Sequence, residues 1–318
     1  MKKIIMLLSF FIVTFTLGQT AMANYAWFQQ GAYYQGVATY QANSTSFLEN
    51  KYQYDSSFRA IANASSSAFA NIQSSMYDLI TAQMAGVSQY RGHSVSVGGK
   101  MGINFVGAGS YSHFNMNLPT IDASINFKQV VLIFVSITCS VQVHIEGMQA
   151  YGDIDVLGGN ILNIYAKGTP NISQNCSGNI PIVGDLIANF AEGKIANLAQ
   201  KITANFSTAK GFPISAYTFL GLNSSIKPGQ YVINSFDVGL FIKNNLSTLI
   251  YNNSVSVSLS QPTGKPIGGA WDGQFKRVAD EIARFSFPNQ SLSLVINDIR
   301  DYEYDFYCPP GKYNCQIP

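Results

Sequence analysis

Two groups of carboxylates are the first residues in this chain able to do chemistry. Asp153 and Asp155 in "GDIDV" stand two apart, so a strand would set both on one face. A pair so placed could carry out acid–base work on a glycan. Two solvated strand carboxylates are the plainer expectation, and we adopt it. Asp298, Asp301, Glu303 and Asp305 crowd into "NDIRDYEYDF". Oxygen-rich loops hold calcium outside cells, but the Asp-x-Asp-x-Asp-Gly order is missing and Arg300 interrupts the group. No metal ligand is assigned.

The three histidines, His93, His113 and His144, show no paired-ligand spacing. His144 falls on the polar side of an alternating pattern and is expected to face water. There is no Gly-x-Ser-x-Gly elbow to present a nucleophile, and the glycines of "GGKMGINFVGAG" do not match a phosphate cradle. Trp271 in "GGAWDGQ" reads as a buried anchor before a sugar-stacking ring. The expectation is a protein with no catalytic residue and no cofactor, not an enzyme.

The four cysteines, Cys139, Cys176, Cys308 and Cys315, are an even set. In an exported protein such a set points to disulfides. Pro309, Pro310 and Gly311 form a turn between Cys308 and Cys315, which leaves Cys139 for Cys176. Export itself is read from residues 1–23. Lys2 and Lys3 precede an apolar run from Ile4 to Leu17, and Ala21-Met22-Ala23 has the small-x-small form of a cleavage site. The run is shorter than the roughly 20 residues that span a bilayer. The opening resembles bacterial signal peptides, so the expected location is periplasm, cell surface or medium, without a transmembrane segment.

Charge narrows the partners. The chain has 19 Lys+Arg and 17 Asp+Glu, so without the two lysines of the leader it is formally neutral. No Lys/Arg cluster is present to meet a phosphate backbone, which argues against nucleic acid. Charged residues make up only 11% of the chain, under half the usual share. Asn, Ser, Gln and Tyr take their place, and such a neutral, hydrogen-bonding surface favours self-association or an envelope or matrix partner.

These residues must be held by regular elements. Residues 24–54 read as an aromatic and polar N-terminal arm without a clean period. Residues 55–207 should contain a helix, an antiparallel sheet and a second helix. Phe58, Ile61, Phe69, Ile72, Met76, Leu79 and Ile80 recur at helical steps, predicting a helix from about Asp55 to Tyr90. From His93 to Pro170 the period drops to two. Phe114, Met116 and Leu118 share a face, as do Ile121, Ala123, Ile125 and Phe127, and Ile137, Cys139, Val141, Val143 and Ile145. The run Val130 to Val135 reads as one strand covered on both sides. In "IPIVGDLIANFAEGKIANLAQKITANF" the apolar residues Leu186, Ile187, Phe190, Ile195, Leu198, Ile202 and Phe206 form a wide stripe on a helix capped by Asp185.

Residues 208–318 read as a strand-rich part closed by the cysteine loop, and 55–318 could be one continuous domain. Phe236, Val238, Leu240 and Ile242 alternate like a strand, as do Val255, Val257 and Leu259. In "GQFKRVADEIARF", Phe275, Val278, Ile282 and Phe285 suggest a short helix. A last strand is placed near Leu292 to Ile299.

The fold class is therefore α+β, a curved antiparallel sheet packed on two long amphipathic helices. The order of these segments resembles the TULIP lipid-binding superfamily over roughly half the chain, by element order and not by a motif. That resemblance implies a long helix wrapped by coiled sheet with an apolar channel between them. The expected function is a secreted, non-enzymatic binding protein for a lipid or other apolar small molecule, with Leu186, Phe190, Ile195, Leu198, Ile202 and Phe206 as ligand contacts. A structural or adhesive surface protein is the alternative, and an envelope enzyme acting on glycans the third.

Overall fold

The computed structural model describes residues 24–48, 58–85, 90–132, 135–155, 160–168, 170–176, 219–262 and 275–307. The chain divides into two units. One comprises Met1–Gly31, Lys265–Val278 and Arg300–Pro318, and the other Ala32–Gly264 and Ala279–Ile299.

Antiparallel sheet dominates. Strands β1 (Asn24–Tyr40), β2 (Asn43–Leu48), β4 (Lys100–Gly107), β5 (Ser112–Asn117), β8 (Gln149–Asp155), β9 (Asn160–Lys167), β13 (Ser254–Ser260), β14 (Phe275–Phe287) and β15 (Leu292–Tyr307) make one sheet in the order β2-β1-β15-β14-β13-β4-β5-β8-β9. Strands β3 (Tyr90–Gly98), β6 (Thr120–Leu132), β7 (Val135–Ile145) and β10 (Asn171–Cys176) make a second, in the order β10-β7-β6-β3. The pair β11 (Val232–Ile233) and β12 (Phe236–Asp237) stands apart. The period-two reading holds where side chains are described. Phe114, Met116, Leu118, Ile121, Ala123, Ile125, Phe127, Cys139, Val141, Val143 and Ile145 are all buried, with polar neighbours turned outward.

One long helix is described, α1 (Arg59–Met84). Its apolar stripe is buried as expected, but the helix is shorter than the predicted 55–90. It packs on β3, on β13 and on the short helix α2 (Leu222–Ser225). Small residues let it approach: Ala62, Ala64, Ser65 and Ala68 are buried among the larger ones. Ser65 donates its hydroxyl to the Ser260 carbonyl at 2.9 Å and lies 3.3 Å from that of Ile282. Gln73 donates to the Val95 carbonyl of β3 at 2.8 Å, so the helix also holds the margin of the second sheet. The other predicted long helix, Ile180 to Phe206 with its cap Asp185, lies outside the described residues, as do residues 1–23.

Several expectations are corrected. The aromatic segment expected as an arm is the β1–β2 hairpin within the nine-stranded order. Gly36 in β1 explains part of its packing: a Cβ there would lie 2.7 Å from the Phe58 ring and closer still to the buried Tyr231. The run Val130 to Val135 is not one strand but a hairpin tip, with Leu132 opposite Val135. Phe236 to Ile242 is not a strand beyond Asp237; helix α3 (Val238–Asn252) starts there. Asp237 caps it, accepting from Leu240 N at 3.0 Å, and Val238, Ile242, Leu246, Leu249 and Ile250 form its buried face. At the other end of α3, Ser112 donates to the Ile250 carbonyl at 2.7 Å and Gly109 N to that of Tyr251 at 3.2 Å, which satisfies last-turn acceptors. The predicted helix over Phe275 to Phe285 is strand β14, and Phe275 is 67% exposed. The last strand runs on from Ile299 to Tyr307.

The core of the larger unit is one continuous cluster from the inward faces of both sheets, α1 and α3. No helix among the described residues is long and apolar enough to cross a membrane.

Candidate functional site

Strand register creates two histidine–carboxylate pairs. On β5 and β8, His113 stands directly opposite Asp153, and its Nδ1 lies 2.5 Å from Asp153 Oδ1. On β6 and β7, Asp122 stands opposite His144, with Nδ1 to Oδ1 at 2.6 Å and Glu146 3.5 Å from Nε2. The second pair is open to water, the His144 and Asp122 side chains being 44% and 58% exposed. Its two carboxylates accept from the imidazole and hold the His144 pKa above its ordinary value.

The first pair is differently placed. Asp153 is only 20% exposed and is held from two sides, because Asn163 donates its amide to Oδ2 at 2.8 Å. Asn163 reaches it from a register shift between β8 and β9, where its own φ is +53°. Gly152 lets the strands close there: a Cβ on it would lie 2.9 Å from the Leu162 carbonyl and 2.9 Å from the Phe114 ring. The Asn163 amide, then the His113 hydrogen bond, keep the Asp153 carboxyl below its usual pKa, against the opposing effect of its partial burial.

Exposed apolar side chains stand in the same row of the sheet. Val106 stands opposite His113, and Leu162 opposite Asp153. The Tyr111 ring meets His113 edge-on at 5.2 Å. Two residues along β8, about 7 Å away by strand rise, Tyr151 faces Tyr165, and their rings stack at 5.0 Å and 11°. Nine large hydrophobic side chains are exposed among the described residues, and Val106, Tyr111, Leu162 and Tyr165 are four of them. Their gathering at one corner of the nine-stranded sheet is thus not a scatter of single exposed residues. Beyond the corner the outward face carries polar pairs: Ser256 Oγ and Asn104 Oδ1 lie 2.6 Å apart, and Gln149 donates to Asn117 at 3.0 Å.

Other predicted residues fall elsewhere. Leu186, Phe190, Ile195, Leu198, Ile202, Phe206, Trp271, Cys308 and Cys315 lie outside the described residues. Cys139 and Cys176 form the expected disulfide, opposite one another on β7 and β10 with Cα atoms 4.5 Å apart. The acidic group near the C-terminus is not a loop, because it lies on β15. Strand alternation puts Asp298 on the face of Leu292, Leu294 and Ile296, and Asp301 and Glu303 on the opposite one. Arg277 takes Asp301 through two hydrogen bonds, at 2.7 and 3.3 Å. Among the described residues no group of three or more metal-ligating side chains converges. His93 is packed on Tyr77 at 3.8 Å and hydrogen-bonds Tyr90. Burial lowers its pKa, and the Tyr77 carbonyl partly offsets that.

The sequence reading set Asp153 and Asp155 together on one strand face and missed His113, which hydrogen-bonds Asp153 from 40 residues away. The only available signal was alternation, which places both His113 and Asp153 on polar faces of strands.

No protein-family model matches the chain, and no curated protein matches it. A solved structure described as "Crystal structure of lipopolysaccharide binding protein" is similar at 10% identity with a TM-score of 0.33. The match covers 89% of this chain and 54% of that one, so the chain spans about half its length. A score at that level does not establish a shared fold.

Proposed function

We propose that this chain is an exported, non-enzymatic binding protein whose ligand presents an apolar face. The observation that carries the reading is the corner of β4, β5, β8 and β9, where Val106, Tyr111, Leu162 and Tyr165 stand exposed together. Exposed large apolar side chains gathered in one region of a sheet mark surfaces that a ligand or partner covers. The non-enzymatic part is supported by how the titratable groups are used. His113, Asp153, His144 and Asp122 hydrogen-bond each other across strand pairs, which is sheet stabilisation. The Cys139–Cys176 disulfide supports export. A lipid or other apolar small molecule is the ligand favoured by the stripe of Leu186, Phe190, Ile195, Leu198, Ile202 and Phe206, since apolar-ligand sites have few polar groups.

A second reading is self-assembly at a cell surface or in a matrix. It draws on the uncharged outward pairs Ser256–Asn104 and Asn117–Gln149.

Titration with a fluorescent fatty acid, beside sedimentation over a range of protein concentrations, tests both. Saturable uptake weakened by Leu162→Asn or by Leu198→Ala supports the ligand reading. No uptake, together with concentration-dependent association, leaves assembly in its place.

A further inference from the structure

We propose that the corner formed by β4, β5, β8 and β9 is a binding site for a neutral saccharide, with Asp153 as its hydrogen-bonding centre and Tyr165 as its stacking surface. The inference rests on the reading that this corner meets a ligand, and names the chemical class.

The argument starts from what the corner offers together. Asp153 has accepted one hydrogen bond on each oxygen, from His113 and Asn163. A carboxylate oxygen has two acceptor sites, so one on each remains, and the side chain is still 20% exposed. Its orientation is fixed before any ligand arrives, which spares the ordering cost of binding. Hydrogen bonds to an ionised acceptor are about twice as strong as neutral ones.

A purely apolar ligand would strip water from Asp153 and return no hydrogen bond, at a cost of the kind that buried charges incur. An anionic head group would be repelled by the Asp153 carboxylate, so of a fatty acid only the chain could lie here, against Leu162. A saccharide fits both halves, because a sugar ring has an apolar C–H face and a rim of hydroxyl donors. The hydroxyls match the two open acceptor sites. The C–H face matches the aromatic ring of Tyr165, which stands on β9 opposite Tyr151, two residues along β8 from Asp153. Tyr165 is 60% exposed and is backed by Tyr151, so the stacking surface is itself held in place. The Tyr151 hydroxyl is engaged by Gln149.

Calorimetric titration of the full-length exported protein with maltohexaose, cellohexaose and chitohexaose tests the assignment. At least one should bind saturably. Asp153→Asn and Tyr165→Ala should each weaken it by about tenfold, the value of one charge-assisted hydrogen bond or one aromatic contact. Asp122→Asn, in the other histidine–carboxylate pair, should leave it unchanged. Thermal melts of each variant establish folding, and Tyr165→Phe, which keeps the ring, should retain binding. Binding that survives both Asp153→Asn and Tyr165→Ala overturns the site. Failure of all three sugars while the fatty-acid probe still binds at Leu162 overturns the saccharide class and leaves the ligand reading standing. Failure of every probe removes both.

Discussion

The hydroxyl of Ser65 lies 2.9 Å from the carbonyl oxygen of Ser260, across 195 residues of chain. The last paired residues of β13 and β14 are Leu259 and Ala283, so the Ser260 and Ile282 carbonyls sit just past the end of the ladder. A helix side chain closes what the sheet leaves open. Ser65→Ala should cost about 1–2 kcal/mol by leaving a buried acceptor short of its donor. Ser65→Leu should cost more, since the helix and strands are close there. Urea unfolding of the two variants checks this, and an unaffected Ser65→Ala would mean the contact contributes nothing net.

Gly36 is the other tight approach. Alanine at this position would drive into the Phe58 and Tyr231 rings, both fully buried. A loss of about 1–3 kcal/mol is expected from overpacking, read from the denaturation midpoint. Gly99, whose missing Cβ would meet nothing within 4 Å, is a useful contrast, although its φ of +85° adds backbone strain of its own.

The disulfide anchors β10. Only Ile172 and Cys176 of that strand are even half-buried, so burial alone holds it weakly. Closing a loop of 37 residues typically contributes about 2–4 kcal/mol. Reduction, or Cys139→Ala with Cys176→Ala, should lower the melting temperature and raise amide exchange first in β10. A melt unchanged after complete reduction would contradict this.

His144 supplies a pH dependence. Its folded-state pKa is raised by Asp122 and Glu146, so protonation favours the fold. The contribution is fully present below the ordinary value of 6.5 and is lost as pH rises through the folded value. The pair is open to water, so the effect should be small and sensitive to salt. Melts on either side of that window should differ in the wild type and differ less in Asp122→Asn. Equal pH sensitivity in both would sink the assignment.

Where one face of a strand is buried and the other wet, the chain announces its structure. Ile121 to Phe127 and Cys139 to Ile145 were readable for that reason. Two segments deceived. Phe236, Val238, Leu240 and Ile242 alternate by accident, and the decisive residue was Asp237, whose carboxylate caps the helix that begins after it. In β14 the spacing of Phe275, Val278, Ile282 and Phe285 imitates a helix, but Phe275 faces solvent and belongs to no stripe. The corner around Asp153 was legible only as polar positions on alternating strands, not as a meeting of residues. It depends on which residue of β5 lies opposite which residue of β8, and register between strands 40 residues apart leaves no local trace in the chain.

The hydrogen bond from Gln73 to Val95 has a further consequence. It ties α1 to β3, the last strand on that side of the four-stranded order, and Tyr77 from the same helix lies over His93. An unprotected margin of a sheet is a template for other chains. Here that margin carries a built-in stopper: a strand arriving from another chain would meet a helix side chain where it sought an open carbonyl.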